Sequence, residues 1–108
     1  MEQDPHGKDQ HELGSKLDAG KPNCDLVFSD FSDALIAVAK VGTYGATKYT
    51  EHGWLHVPNG LSRYRSAAYR HLLSRDNNDK DTNLPHLAHA AWNALAALQL
   101  HLIETTDE

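Results

Sequence analysis

Cysteine is nearly absent from this 108-residue chain, where Cys24 stands alone. A single thiol excludes an internal disulfide framework and fits a reducing compartment. Glutamate is scarce too: the five are Glu2, Glu12, Glu51, Glu104 and Glu108, mostly in the tails. No HExxH pattern is present, which removes the common helical zinc-protease motif. There is no internal repeat and no low-complexity tract. The opening MEQDPHGKDQHELG is polar and acidic, unlike a secretory leader. A net charge of −5 with a pI near 5.8 gives no blanket electrostatic case for polymeric nucleic acid or for a membrane surface. The length predicts one domain with a modest core.

What the chain does contain is one long apolar stretch, Leu84–Ile103, LPHLAHAAWNALAALQLHLI. Ala and Leu dominate it, both strong helix formers, and Pro85 suits a first helical turn, where its missing N–H costs nothing. Leu87, Ala91, Ala94, Leu95, Leu98 and Leu102 recur at helical spacing and make one apolar face. Ala88, Trp92 and Ile103 widen it, which predicts a helix buried on more than one side. His86, His89, Asn93, Gln99 and His101 argue against a bilayer span, so the stretch reads as a core helix. His86, His89 and Asn93 lie at i, i+3 and i+7, on one face. Two imidazoles one turn apart suit a metal or a phosphate, or else are satisfied interior histidines.

From the N-terminus, residues 1–18 are charged with little to bury and predict a flexible polar arm, followed by a single helical domain over 19–105. Gly20 and Pro22 mark a turn, and Asp25–Phe28 suits a short extended piece. Lys21 and Asp25 are candidate ligand contacts or an ordinary loop ion pair. A first helix is predicted from Ser29 or Asp30 to about Val41, with Gly42 as a stop or a kink before GTYGATKY. Residues 50–60 read as a loop in which Trp54 either covers the core edge or stacks on a base. A middle helix starts after Asn59 or Ser62 and ends near Arg75. It carries Arg63, Arg65, Arg70, His71 and Arg75 with no acidic residue among them. That strip is either an anion-binding face or a solvated face paired with carboxylates elsewhere. Next comes RDNNDKDTN, whose Asp76 and Asp79 suit turn chemistry. Its carboxylates also arrive just ahead of His86 and just after His71. Oxygen ligands alone suit Mg²⁺ or Mn²⁺; added imidazoles favour Mn²⁺, Fe²⁺ or Zn²⁺.

Taken together, DAGKP with DLV, TYGATKY, the loop Trp54, RYRSAAYRHLL, the acidic turn and LPHLAHAAWNAL resemble a family of small, mostly phage-encoded proteins. That family is described as dATP/dGTP diphosphohydrolase, N-terminal domain-like. The likeness covers about residues 15–104. Its most specific parts are Gly45-x-x-Lys48-Tyr49, Arg70-His71-Leu72 and Leu84-Pro85-His86-x-x-His89-Ala90. The resemblance implies an enzyme that cuts dGTP or dATP to the monophosphate and pyrophosphate with a divalent metal, Mg²⁺ or Mn²⁺. The implied setting is the cytoplasm of a phage-infected bacterium. By motif position it implies catalytic roles for His71, Asp81 and His86, and a metal set of His71, Asp81, His86 and His89. Lys48, Arg63 and Arg70 would contact phosphates and Tyr49 or Trp54 the base, with Lys21, Asp25 and Asn93 as further substrate contacts. The chain departs from MazG-type enzymes in lacking their paired E-x-x-E and E-x-x-D motifs. Asp81 stands just before Thr82, where a Glu is expected.

The sequence therefore predicts an all-α bundle of three main helices with a loop-rich N-terminal segment. The second and third form an antiparallel hairpin. So small a bundle with so apolar a last helix is expected to form a homodimer or a higher homo-oligomer. Three functional readings follow: a metal-dependent diphosphohydrolase, a non-catalytic sponge for a nucleotide or nucleotide-derived immune signal, and a purely structural oligomer.

Overall fold

The computed structural model describes residues 2–106, whose regular secondary structure is helical, with no strand. The helices are α1 (Asp25–Phe28), α2 (Ser32–Lys48), α3 (Gly60–Leu72) and α4 (His86–Thr106), with a single 3₁₀ turn at Gly53–His56. The chain divides between Asp30 and Phe31 into two compact units.

In the first unit the Asp4 carboxylate is the organising group. It accepts backbone N–H bonds from His6 at 2.7 Å, Lys8 at 3.4 Å and Lys16 at 2.7 Å. Burial opposes ionisation less than these donors favour it, and the Lys16 N–H, the largest influence, holds the carboxyl below its ordinary value. Asp25–Phe28 is a helical turn rather than an extended piece, with Asp25 supplying favourable charge at its start. Ser29 closes this turn and donates its hydroxyl to Asp25. It is therefore not available to cap the next helix.

In the second unit α2 opens at Phe31, whose carbonyl accepts the Leu35 N–H. It runs through Gly42 to Lys48, so Gly42 is not a stop and GTYGATK belongs to the same helix. The reason is packing. A Cβ at Gly42 would lie 3.2 Å from Trp92 Nε1, so this glycine lets α2 approach α4 closely. Gly45 has no such neighbour within 4 Å. Gly45→Ala is accordingly expected to raise stability by about 0.5–1 kcal/mol through helix propensity alone. Gly42→Ala should forfeit that gain against the Trp92 ring. Thermal melts of the two variants side by side test the assignment, and equal shifts would contradict it.

Helices α3 and α4 pack antiparallel. His71 meets His86 at one end, Tyr64 meets Trp92 in the middle, and Gly60 faces Leu100 at the other. The loop that joins them ends at Pro85, which flanks α4 rather than entering it; its carbonyl accepts the His89 N–H. Three aromatic rings lock the middle. Trp54, Tyr64 and Trp92 meet edge to face, with centroids 5.6–6.1 Å apart, and the Tyr64 hydroxyl donates to the Trp54 carbonyl.

The buried side of α4 is not the leucine face. Ala88, His89, Ala90, Asn93 and Ala96 are buried, whereas Leu87, Leu95, Leu98 and Leu102 are about half exposed or more. Small side chains let α3 and α4 approach closely, and the two polar ones find partners inside. The rest of the apolar core is Val41 and Ala68, so no large aliphatic side chain is fully buried. Helix α4 packs against both α2 and α3, as a helix buried on more than one side should, but the leucine face expected to lie inside faces outward.

Candidate functional site

The site is built on the loop that returns from α3 to α4. Three backbone bonds close it: His86 N–H to the Asn77 carbonyl, Asp79 N–H to Leu84, and Asn83 N–H to Asp79, at 2.8–2.9 Å. Asn83 takes a left-handed conformation, φ 57°, which an asparagine tolerates better than most residues and which turns the chain back toward α4. Asp79 is thereby carried over the start of α4, where His86 and His89 project one turn apart. The end of α3 brings His71 to the same place.

The three imidazoles are in contact. His71 Nδ1 lies 2.8 Å from His86 Nδ1, and the His71 ring stacks on His89 with centroids 4.6 Å apart. His89 Nε2 pairs with Thr82 Oγ1 at 2.7 Å, and that hydroxyl also bonds Asp79 Oδ1 at 3.3 Å. The backbone N–H groups of Asp81 and Thr82 donate to the same oxygen at 2.9 and 3.0 Å. Asp79 Oδ2 has no hydrogen-bond partner among the described residues. His71, Asp79 and His86 each offer a ligand atom, all within 4.8 Å of one another.

Electrostatics keep these groups in the states a cation needs. Burial lowers the affinity of His71 for a proton, and His89 and His86 lower it further, so it titrates below the usual imidazole value. Burial does the same to His89, against the opposing pull of Asp79. Burial also resists ionisation of Asp79, but the Thr82 and Asp81 N–H donors outweigh it and hold the carboxyl below its ordinary value. The sign for stability follows. As pH falls from 7.5 toward 5, unfolded histidines take up protons before folded His71 and His89 do, so the folded state loses stability. The metal-free protein should therefore melt lower at pH 5.5 than at pH 7.5. His89→Gln should flatten that dependence in thermal melts followed by circular dichroism; an unchanged slope would contradict the assignment.

The donor set suits a divalent ion. Two nitrogens each about 2.1 Å from one ion, at about a right angle, are about 3 Å apart. The observed 2.8 Å separation is near that value. An Asp79 carboxylate oxygen, within 4.8 Å of both, makes a set of two nitrogens and one oxygen.

Other residues named from the sequence are distributed as follows. Asp81 is exposed on the loop outside the three-residue ligand group, and its N–H supports Asp79. Lys48 ends α2 within electrostatic reach of Asp81; the adjoining Tyr49 raises its proton affinity most, then Tyr44, then Asp81. Its ammonium lies 5.2 Å from the Tyr49 ring centroid. Arg70 precedes His71 and donates to Ser66, while Arg63, two turns earlier on α3, donates to the Pro58 carbonyl. The one ion pair among the described residues joins Lys21 to Glu2 in the first unit, so the arginines of α3 have no carboxylate partner there. Asp25 serves α1 as described. Asn93 is buried and donates to the His89 carbonyl, bracing that turn of α4. Trp54 lies in the aromatic cluster.

Sequence reasoning favoured turn chemistry for Asp79 over a ligand role, chose Asp81 as the carboxylate ligand, and gave no role to Thr82. The available signal was the Asp-x-x-Thr spacing, which lets a carboxylate accept N–H groups two and three residues on and fixes it as a local anchor.

An all-α unit with a histidine and carboxylate cluster is the class that the fold and site define. A model of the family dATP/dGTP diphosphohydrolase, N-terminal, matches residues 11–108, and the chain belongs to that family. Membership carries a nucleotide hydrolase-type function at family level. No curated protein and no solved structure matches. Among the described residues no helix is long and apolar enough to cross a membrane.

Proposed function

We propose that this protein is a metal-dependent diphosphohydrolase that cleaves dGTP or dATP to the monophosphate and pyrophosphate. The observation that carries the reading is the convergence of His71, Asp79 and His86, in a chain of this family. A divalent ion held by those three residues would polarise a phosphoryl oxygen and acidify a bound water. Lys48 and Arg70, neither of which has a carboxylate ion pair among the described residues, bind the phosphates and offset charge on the departing pyrophosphate, and Arg63 extends the cationic strip along α3. Water oxygen bonds to the α-phosphorus as the bond to the α–β bridging oxygen breaks, and Asp81 takes the proton. His89 and Asn93 hold the cluster from behind through Thr82 and the α4 backbone. Tyr49, exposed beside Lys48, is the aromatic free to take the base; the Trp54 ring is engaged with Tyr64 and Trp92.

The working form is a homodimer or larger homo-oligomer that covers the leucine face of α4. The lack of paired Glu motifs favours one second reading, a sponge that binds a nucleotide without cutting it. Product analysis with dGTP, dATP and ribonucleotides, with Mg²⁺ or Mn²⁺ against EDTA, decides between them. Metal-dependent release of pyrophosphate and dGMP or dAMP is the expected result. Intact nucleotide recovered only after denaturation, with no turnover, would replace the enzyme by the sponge.

A further inference from the structure

We infer that the His71–Asp79–His86 centre is a transition-metal site, selective for ions such as Mn²⁺, Fe²⁺, Co²⁺ or Zn²⁺ over Mg²⁺, with Asp79 and not Asp81 as its carboxylate ligand. The inference rests on the reading of this cluster as the metal centre and adds which ion it takes and through which atoms. Two of the three donors are imidazole nitrogens. Mg²⁺ prefers oxygen ligands and holds its water tightly, whereas first-row transition ions bind imidazole strongly.

The choice of carboxylate follows from the loop. Asp79 Oδ1 is fixed by the N–H groups of Asp81 and Thr82 and by the Thr82 hydroxyl. This pins the side chain through one oxygen, while Oδ2 has no hydrogen-bond partner among the described residues and the carboxylate lies within 4.8 Å of the His71 and His86 ligand atoms. Asp81 contributes its backbone to that clamp. The arrangement extends outward, since Thr82 also holds His89 Nε2, and His89 stacks on His71. A ligand shell with its own supporting hydrogen bonds is the usual mark of a built metal site. Thr82 is here a positioning residue.

The test is titration of the metal-free full chain with Co²⁺, following its visible d–d bands, and with Mn²⁺, Zn²⁺ and Mg²⁺ by calorimetry. One Co²⁺ per chain is expected, bound on the order of 100-fold more tightly than Mg²⁺. Asp79→Asn should weaken Co²⁺ binding at least about 10-fold, and Thr82→Val about 10-fold, while Asp81→Asn leaves it unchanged. If Asp79→Asn fails to fold, Mn²⁺ broadening of the imidazole proton resonances in the unaltered protein gives the same answer. Equal affinity for Mg²⁺, no Co²⁺ spectrum from folded protein, no broadening of His71 and His86, or loss of binding in Asp81→Asn alone would each overturn the inference. A protein that binds Co²⁺ as described yet cuts no nucleotide would sink the hydrolase reading and leave this site standing. Turnover with Mg²⁺ and no ion at these histidines would do the reverse.

Discussion

Asp79→Asn is expected to lower pyrophosphate release from dGTP or dATP on the order of 1,000-fold while the protein stays folded. An amide keeps an oxygen that can accept the Asp81 and Thr82 N–H bonds, so the loop retains its clamp. What it loses is the negative charge beside the imidazoles and the second carboxylate oxygen. A metal centre supplies several kcal/mol of transition-state stabilisation, and each 1.36 kcal/mol is about tenfold in rate. Asp81→Asn should also slow turnover, by about 10²-fold or more, because a general base is removed. The two variants differ in metal affinity. Turnover assays paired with Co²⁺ titration therefore separate a ligand from a proton acceptor. Full activity in Asp79→Asn would remove the cluster from the mechanism.

Leu95→Glu combined with Leu98→Glu should convert an oligomer to monomers, read by light scattering after gel filtration. From His86 to Ile103, α4 has no Asp, Glu, Lys or Arg, yet Leu95, Leu98 and Leu102 are 48–51% exposed and Leu87 72%. A groove of ≈ 280 Å³, walled by Trp54, Trp92, Leu95, Leu98 and Leu102, runs along the same face. Covering the open half of each leucine contributes about 1 kcal/mol, so four from each of two copies give roughly 8 kcal/mol. Association costs about 4–15 kcal/mol, so a lasting dimer must also fill the groove and cover Ile103. A glutamate buried without a partner costs about 3–5 kcal/mol, or about 10²-fold or more in dissociation constant for each substitution. A monomeric unaltered protein at micromolar concentration would contradict the oligomer.

Much of this architecture was legible in the order of residues. The apolar run from Leu84 marked the last helix, and the basic stretch carrying Arg63, Arg65, Arg70 and His71 marked its partner. The proximity of His71, His86 and His89 was legible as well. Residues one turn apart share a face, and a short connection between antiparallel helices brings the end of one to the start of the next. Less visible was the register of the loop. Asn83 in a left-handed conformation, with the Asp79–Leu84 and Asn77–His86 backbone bonds, decides that Asp79 faces the imidazoles and Asp81 does not.

The sequence by itself determined that the chain is helical, where its last two helices run, and which histidines meet. Only the tertiary structure decided which face of α4 goes inside and which carboxylate joins the cluster. Periodicity defines a stripe on a helix but not the neighbour that covers it. Gly42, Gly60 and Ala68 on the facing helices leave room for close approach, so alanines with His89 and Asn93 enter the core and the leucines remain outside. The carboxylates differ by two positions in one turn. Their directions are set by backbone dihedrals and long-range hydrogen bonds, which residue type alone does not specify.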